Sequence, residues 1–289
     1  MEFTDFDALW NYDQPAETEA RFQALLPETA AAPARRAELL TQIARAQGLQ
    51  RRFAEAHQTL DEVDRALTAE MRRARVRCLL ERGRVFNSSR QPERAVPLFR
   101  AAWEQAQAAD EAGLAVDAAH MLGIAAPTPD EQLAWNQRAL DLAERSPDPA
   151  VQHWRGPLYN NLGWTYHDRG EYTRALELFE RAVAWRAAQN QPRPTRIARW
   201  CVARALRSLG RLTEALAGQQ ALLAEAEAAG EPDGYIYEEL AECLLALGRP
   251  EAARPYFAQA HALLAQEAWL AEAEPARLER LRTLGAPAA

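Results

Sequence analysis

The sequence of 289 residues carries a formal net charge of -7, and every one of its 34 Lys+Arg residues is an arginine. Without lysine the chain cannot use a P-loop lysine, a lysine Schiff base or a Ser-x-x-Lys nucleophile pair, which excludes several large enzyme classes. The negative charge argues against a protein that binds nucleic acid with its whole surface.

The composition favours helices and a reducing compartment. Alanine and leucine are abundant and glycine is scarce, which predicts an all-α chain. Cys78, Cys201 and Cys243 are odd in number, widely spaced and inside helical patterns, so we expect reduced thiols and no metal site. The acidic start has no apolar run, and no later segment reaches about 18 apolar residues. We expect a cytoplasmic protein that neither spans a membrane nor carries a cofactor.

Residues 1–33 are predicted to form an acidic, aromatic segment and a capping helix. In the segment "FTDFDALW", one helical side carries Phe3, Phe6, Leu9 and Trp10. "PAETEARFQALL" at 15–26 has the pattern of a lone helix. We expect the aromatic segment to pack back on the array as a cap; docking to a partner or to the array's own groove is the alternative.

Residues 34–270 repeat with a period near 40. Five segments carry a small residue in a first helix, at Ala44, Gly83, Gly163, Ala203 and Ala241. After a turn, each carries an alanine in a second helix, at Ala56, Ala95, Ala175, Ala215 and Ala253. From one segment to the next, the position of each marker advances by 39, 80, 40 and 38 residues. The step of 80 contains a sixth unit with a shortened turn. Six helix pairs are predicted, with positive φ at Gly170, Gly210 and Gly248 where first helices end.

This pattern resembles the tetratricopeptide repeat (TPR) over roughly residues 34–266. The closest match is "YNNLGWTYHDRGEYTRALELFERAV", which has the Leu-Gly, the aromatic, the glycine turn and the spaced alanines in order. The period exceeds the usual 34 residues and is similar to the longer repeats of kinesin light chains and bacterial peptide-sensing regulators. The resemblance implies a right-handed α-α superhelix, a TPR solenoid of about six helix pairs with capping helices. Residues 271–289 are predicted to form the C-terminal capping helix, "EPARLERLRTLG", and a tail.

The residue after each small residue of a first helix is predicted to face the inner surface, together with residues about one turn away. Candidate peptide-binding residues on or near this surface are Asn161, Trp164, Arg84, Arg204, Arg207, Arg45, Asn160, His167 and Trp200. An asparagine amide can both donate to and accept from a peptide backbone, arginine favours acidic groups, and tryptophan offers a flat apolar contact. The resemblance implies that Asn161 is the peptide-gripping asparagine. The alternatives are hydrogen bonds between repeats for the asparagines and gap filling for the tryptophans.

These observations predict a noncatalytic scaffold whose groove holds a protein or peptide partner of acidic character. No HExxH, CxxC, GxGxxG or GxSxG motif is present, and His167 and Asp168 point about 100° apart on a helix, so neither a catalytic nor a metal site is predicted. One alternative is the sensor component of a bacterial peptide-responsive regulatory system, and another is a structural self-association module. Neither membrane nor nucleic acid is predicted as a partner.

Overall fold

The computed structural model describes residues 6–287, and this part of the chain is helical without any strand. The chain forms two compact units, Met1–Leu158 and Tyr159–Ala289. The all-α prediction is therefore confirmed.

The first unit consists of one lone helix followed by three helix pairs. Its elements are a 3-10 helix (Phe6–Leu9), α1 (Pro15–Leu25), a 3-10 helix (Leu26–Thr29), α2 (Pro33–Leu49), α3 (Phe53–Ala66), α4 (Arg72–Ser88), α5 (Pro92–Ala108), α6 (Ala112–Ala125), α7 (Pro129–Arg145), the short α8 (Pro149–Gln152) and the start of α9 (Arg155–Asp168). The pairs are α2 with α3, α4 with α5, and α6 with α7, and the predicted lone helix at 15–26 is α1.

The second unit holds three more pairs and a closing helix. After α9 its elements are α10 (Tyr172–Ala188), α11 (Pro192–Ser208), α12 (Leu212–Ala229), α13 (Gly234–Ala246), α14 (Pro250–Leu264), the short α15 (Ala268–Ala273) and α16 (Pro275–Gly285). The closing helix predicted at 274–285 is α16, which packs on α14. The two short helices α8 and α15 have no counterpart in the predictions, because four and six residues are too few to show a helical period.

Residues with a left-handed backbone conformation, which has a positive φ, end several first helices. Gly170, Gly210 and Gly248 have φ of +77°, +76° and +71°, as predicted. Arg51 and Arg90 occupy the equivalent place after α2 and α4, with φ of 62° each. A side chain strains this conformation, so these two turns are held by the packing of the flanking helices.

Close helix approach within a pair depends on the small residue. A Cβ added to Gly163 would lie 2.3 Å from the ring of Phe179, and one added to Gly83 would lie 2.4 Å from the ring of Phe99. Both phenylalanines are fully buried. The glycines therefore let the aromatic ring of the second helix pack directly on the backbone of the first.

Two pairs carry an amide at the place where three others carry this phenylalanine and the first pair carries Leu60. In α7 the side chain of Asn136 donates from Nδ2 to the carbonyl of Gly123 at 3.1 Å. In α12 the residue is Gln219, which is fully buried, and both of its amide atoms lack a hydrogen-bond partner. The repeat pattern did not predict these two polar core residues, because the alanines that mark the repeat have their usual spacing in both pairs.

The aromatic N-terminal segment packs against α1 and α2. Phe6 is buried and meets Phe22 edge to face at 6.3 Å, and Trp10 meets Phe22 at 5.4 Å. Arg35 of α2 lies over the ring of Phe6, with 4.4 Å to the centroid. Phe3, predicted on the same side, lies outside the described residues.

Candidate functional site

The candidate residues fall into a repeating set of positions on the first helices. We call these positions the first-helix face: two residues before, one after and four after the small residue. In the second unit the face comprises Asn161, Trp164, His167, Cys201, Arg204, Arg207, Glu239, Glu242 and Leu245. In the first two pairs of the first unit it comprises Gln42, Arg45, Gly48, Glu81, Arg84 and Asn87.

Arg204 and Arg207 of α11 converge on one buried carboxylate of α13. Arg207 donates to Glu239 through Nε, and through Nη2 at 3.1 Å, while Nε of Arg204 lies 3.5 Å from the same carboxylate. Burial acts to lower the pKa of Arg207, but Glu239 outweighs it, so the pKa stays above its ordinary value. This bidentate pair fixes both guanidinium groups at the surface between α11 and α13.

A histidine and a serine extend this network toward α9. His167 is buried, and its Nε2 lies 2.9 Å from Oγ of Ser208, which also accepts from Nη1 of Arg204 at 3.0 Å. Burial lowers the pKa of His167, and the charge of Arg204 lowers it further. The imidazole is therefore neutral near pH 7 and positions the serine hydroxyl beside the arginine.

Trp164 and Trp200 lie together on the same unit. Their ring centroids are 6.1 Å apart, and Trp164 also packs on Phe179 at 5.3 Å and on His167 at 5.1 Å. Nε1 of Trp200 donates to the carbonyl of Tyr235 at 3.1 Å. Both indoles remain partly exposed, so each combines a packing role with surface available for contact.

The two asparagines and Cys201 lie next to these rings. Oδ1 of Asn160 accepts from the Cys201 thiol at 3.6 Å, and both Asn160 and Asn161 are half-buried. Burial raises the pKa of Cys201 to about 12, so the thiol is protonated and unsuited to be a nucleophile. The predicted interrepeat hydrogen bond therefore exists for Asn160.

In the first unit, the arginines of the face are also paired with carboxylates. Arg84 contacts both Glu81 and Asp117, and Arg45 lies 3.8 Å from Glu81. Burial would raise the pKa of Asp117, yet Arg84 and Arg45 bring it below its ordinary value. Sequence reasoning found these arginines but missed their acidic partners, Glu81 and Asp117.

The N-terminal segment covers the start of this first-unit face. Nε1 of Trp10 donates to Oε1 of Gln42 at 2.9 Å. Trp10 and Tyr12 stack in parallel at 4.8 Å, and the guanidinium of Arg45 lies 5.4 and 5.3 Å from their ring centroids. The chain thus uses its own aromatic residues as partners for two face positions.

Stacked helix pairs with a small residue at each crossing define a class, the α-solenoid of repeated helix hairpins. Residues 158–187 match the family model described as tetratricopeptide repeat. This match confirms the predicted resemblance to the tetratricopeptide repeat at its closest copy, and the structural similarities given next show the same fold over most of the chain. No curated protein matches the sequence.

Several solved structures share the fold at low sequence identity. A Signal Transduction ATPase with Numerous Domains protein with a tetratricopeptide repeat sensor, from Pyrococcus horikoshii, matches with a TM-score of 0.72 and 16% identity over 94% of this chain. The chain spans only 43% of that protein. The apo form of RapI matches with a TM-score of 0.70 and 12% identity, over 94% of this chain and 81% of RapI. BtubC (BKLC) from P. vanneervenii matches with a TM-score of 0.62 and 14% identity, over 80% of this chain and 94% of its own.

None of the helices among residues 6–287 is both long and apolar enough to cross a membrane. The same residues contain no group of three or more His, Cys, Asp or Glu side chains placed to hold a metal ion.

Proposed function

We propose that this chain is a noncatalytic scaffold that binds a protein or peptide segment on the first-helix face of its second unit. The observation that carries the proposal is the partly exposed Trp164, which contacts Trp200 and has the half-buried Asn160 and Asn161 about one helical turn before it on α9. Interface anchors are typically such aromatic side chains next to fixed polar groups. Asn161 would contact the peptide backbone, and the indoles would contact its side chains.

The proposal that the partner is acidic rests on arginine N–H groups that do not donate to Glu239. Arg207 engages Glu239 through Nε and Nη2, and Arg204 directs Nη1 to Ser208. Nη1 of Arg207 and Nη2 of Arg204 have no acceptor among residues 6–287. A carboxylate of the partner would accept from both, each charge-assisted bond contributing about 1.5 to 3 kcal/mol if water is excluded.

Arg45 and Arg84 have a different place in this proposal. Their charges are balanced by Glu81 and Asp117, and Arg45 already stacks on Trp10 and Tyr12. We therefore propose that they hold the first unit and its N-terminal segment together, while Arg204, Arg207, His167 and Trp200 frame the ligand surface.

A sensor role is the second candidate. It is supported by the similarity to the archaeal protein whose tetratricopeptide repeats are described as a sensor, of which this chain spans less than half. In that role a peptide would bind the same face, and another polypeptide would supply the output.

A peptide selection tests the proposal. Peptides selected from a random display library on the wild-type chain would be measured by fluorescence anisotropy against Trp164→Leu and Asn161→Ala. We expect each change to weaken binding roughly tenfold or more, as for interface anchors. Trp269→Leu is the matched control, because Trp269 is 54% exposed and lies on α15 away from the face. Selected peptides that bind all three variants equally would show that the ligand surface is elsewhere.

A further inference from the structure

The last helix pair of the second unit has a cavity at one end. It measures about 250 Å³ and lies where the end of α13, the first turns of α14 and the end of α16 meet. The apolar side chains of Leu245, Phe257 and Leu284 line it, and the two leucines are only half-buried, so the cavity opens to solvent. Pockets for drug-sized ligands measure about 300–1,000 Å³, so this one suits a small molecule or a single side chain.

The walls of the cavity are held by close packing between α14 and α16. A Cβ added to Gly285 would lie 2.6 Å from the backbone nitrogen of Ala258, so the last residue of α16 packs directly on the backbone of α14. Phe257 is 1% exposed and belongs to the core of the unit. The cavity is therefore preformed, as ligand pockets usually are.

An arginine of this cavity occupies a repeat position that the two preceding pairs fill with leucine. The residue after the marker alanine of the second helix is Leu176 in α10, Leu216 in α12 and Arg254 in α14. Leu176 and Leu216 are buried in the core of the unit. Arg254 is half-buried and lines the cavity. The last pair thus places a guanidinium at a position where the other two pairs place a core side chain.

The polar groups around the cavity favour an anion. Among residues 6–287, no Asp or Glu lines the cavity, and the hydroxyl of Thr283 already donates to the carbonyl of Glu279 at 2.9 Å. A half-buried arginine is not in itself a binding site, because its stem can pack while its charge stays in water. Here the guanidinium adjoins an apolar cavity, so a group that enters the cavity lies next to a positive charge.

We infer that this cavity binds a monocarboxylate with a short apolar body, its carboxylate on Arg254 and its apolar part against Leu245, Phe257 and Leu284. One guanidinium balances one negative charge, and its planar fork matches the two carboxylate oxygens. The apolar side chains contribute by removing hydrocarbon from water. The carboxylate belongs either to a free short-chain acid or to the C-terminus of a polypeptide that ends in an apolar residue. The site does not rest on the proposed function.

The first test titrates the wild-type chain with isocaproate, which is leucine without its amino group. The methyl resonances of Leu245 and Leu284 and the Nε–Hε resonance of Arg254 would be followed by NMR at constant ionic strength. We expect saturable shifts with a dissociation constant on the order of 1 mM. Isocaproamide, which has the same shape without the charge, should bind roughly tenfold more weakly. Absence of saturable shifts, or equal affinity for acid and amide, would overturn the inference.

A variant then tests whether Arg254 holds the carboxylate. Arg254→Gln should weaken isocaproate roughly tenfold and leave isocaproamide unchanged. Arg249→Gln is the matched control, because Arg249 is an exposed arginine just before α14 that does not line the cavity, and it should bind both compounds as the wild type does. Isocaproate that binds Arg254→Gln as tightly as the wild type would overturn the assignment. The comparison of acid and amide on the wild type decides even if Arg254→Gln is destabilised.

The source of the carboxylate is decided with the tripeptide Ala-Ala-Leu, whose last residue shares the carboxylate and side chain of isocaproate. Binding at least as tight as that of isocaproate, lost when the C-terminus is amidated, assigns the site to the end of a polypeptide. Weaker binding than that of isocaproate assigns it to a free acid. None of these measurements involves Trp164, so failure of this site and failure of the proposed peptide surface are distinguishable.

Discussion

The first-helix faces of the two units carry equivalent positions but differ in how completely their polar groups are satisfied. In the first unit, Arg84 is shared between Glu81 and Asp117, and Arg45 is covered by Trp10 and Tyr12. In the second unit, Glu239 receives two arginines and leaves donors over, and Trp164 stays partly exposed. The comparison teaches that arginine on a repeat surface does not by itself mark a ligand site; the balance of donors and acceptors does.

The largest effects should come from removing the acidic partner in each unit. Asp117→Asn leaves Arg84 without one of its two carboxylates, and Glu239→Gln leaves two arginines without theirs. Each change should lower the free energy of unfolding by about 3 kcal/mol, measured by urea denaturation. Because the pKa of Asp117 is lowered in the fold, its contribution is present above the unfolded pKa and is lost as pH falls through the folded one, so the Asp117→Asn deficit should shrink below about pH 4.

The same two variants test which of the two first-helix faces binds the ligand. Glu239→Gln removes the internal competitor and should strengthen binding of acidic peptides, whereas Asp117→Asn should leave their affinity unchanged. The reverse result would place the ligand surface in the first unit. A neutral version of each peptide serves as the control for nonspecific charge effects.

A smaller effect is expected at the two amides that replace the core phenylalanine. Asn136 has its hydrogen bond to Gly123, whereas Gln219 has none. Gln219→Leu should therefore raise the free energy of unfolding by about 1–2 kcal/mol, because an unsatisfied buried amide is removed. Asn136→Leu should lower it, since Asn136 atoms lie within 2.6 Å of a Cβ built on Gly123 and leave no room for a branched side chain. Stabilisation by both changes, or by neither, would contradict this account.

The repeat pattern was sufficient to predict the helix pairs and was insufficient for the polar network. Gly163 and Gly170 follow from local requirements, a close helix approach and a positive φ, which a single residue type satisfies. The place of Arg204 on the first-helix face follows from the helical period. Its pairing with Glu239 depends on the crossing of α11 and α13, 35 residues apart in sequence, and Trp10 reaches Gln42 only because the chain before α1 turns back. Periodicity gives the face of a residue but not its neighbour across repeats.

The half-buried His120 and the buried His167 provide the most sensitive comparison of the two units. Burial lowers the pKa of both His120 and His167, so each stabilises the fold fully above the unfolded pKa near 6.5 and loses that contribution as pH falls. The charges with the largest effect on the two pKa values differ in sign. Asp117 acts to raise the pKa of His120, with Arg84 acting against it, whereas Arg204 and Arg207 lower that of His167, with Asp168 acting against them.

Salt should therefore move the two pKa values in opposite directions, because it screens an attraction at His120 and a repulsion at His167. Histidine Cε1–Hε1 resonances would be titrated by NMR at low and high sodium chloride. We expect the pKa of His167 to rise with salt and that of His120 to fall, each by a few tenths of a unit, since partly buried charges are screened incompletely. His167→Asn and His120→Asn assign the resonances. A shift of both pKa values in the same direction would mean that burial alone sets them. It would also mean that Glu239 already neutralises the arginines on the first-helix face of the second unit.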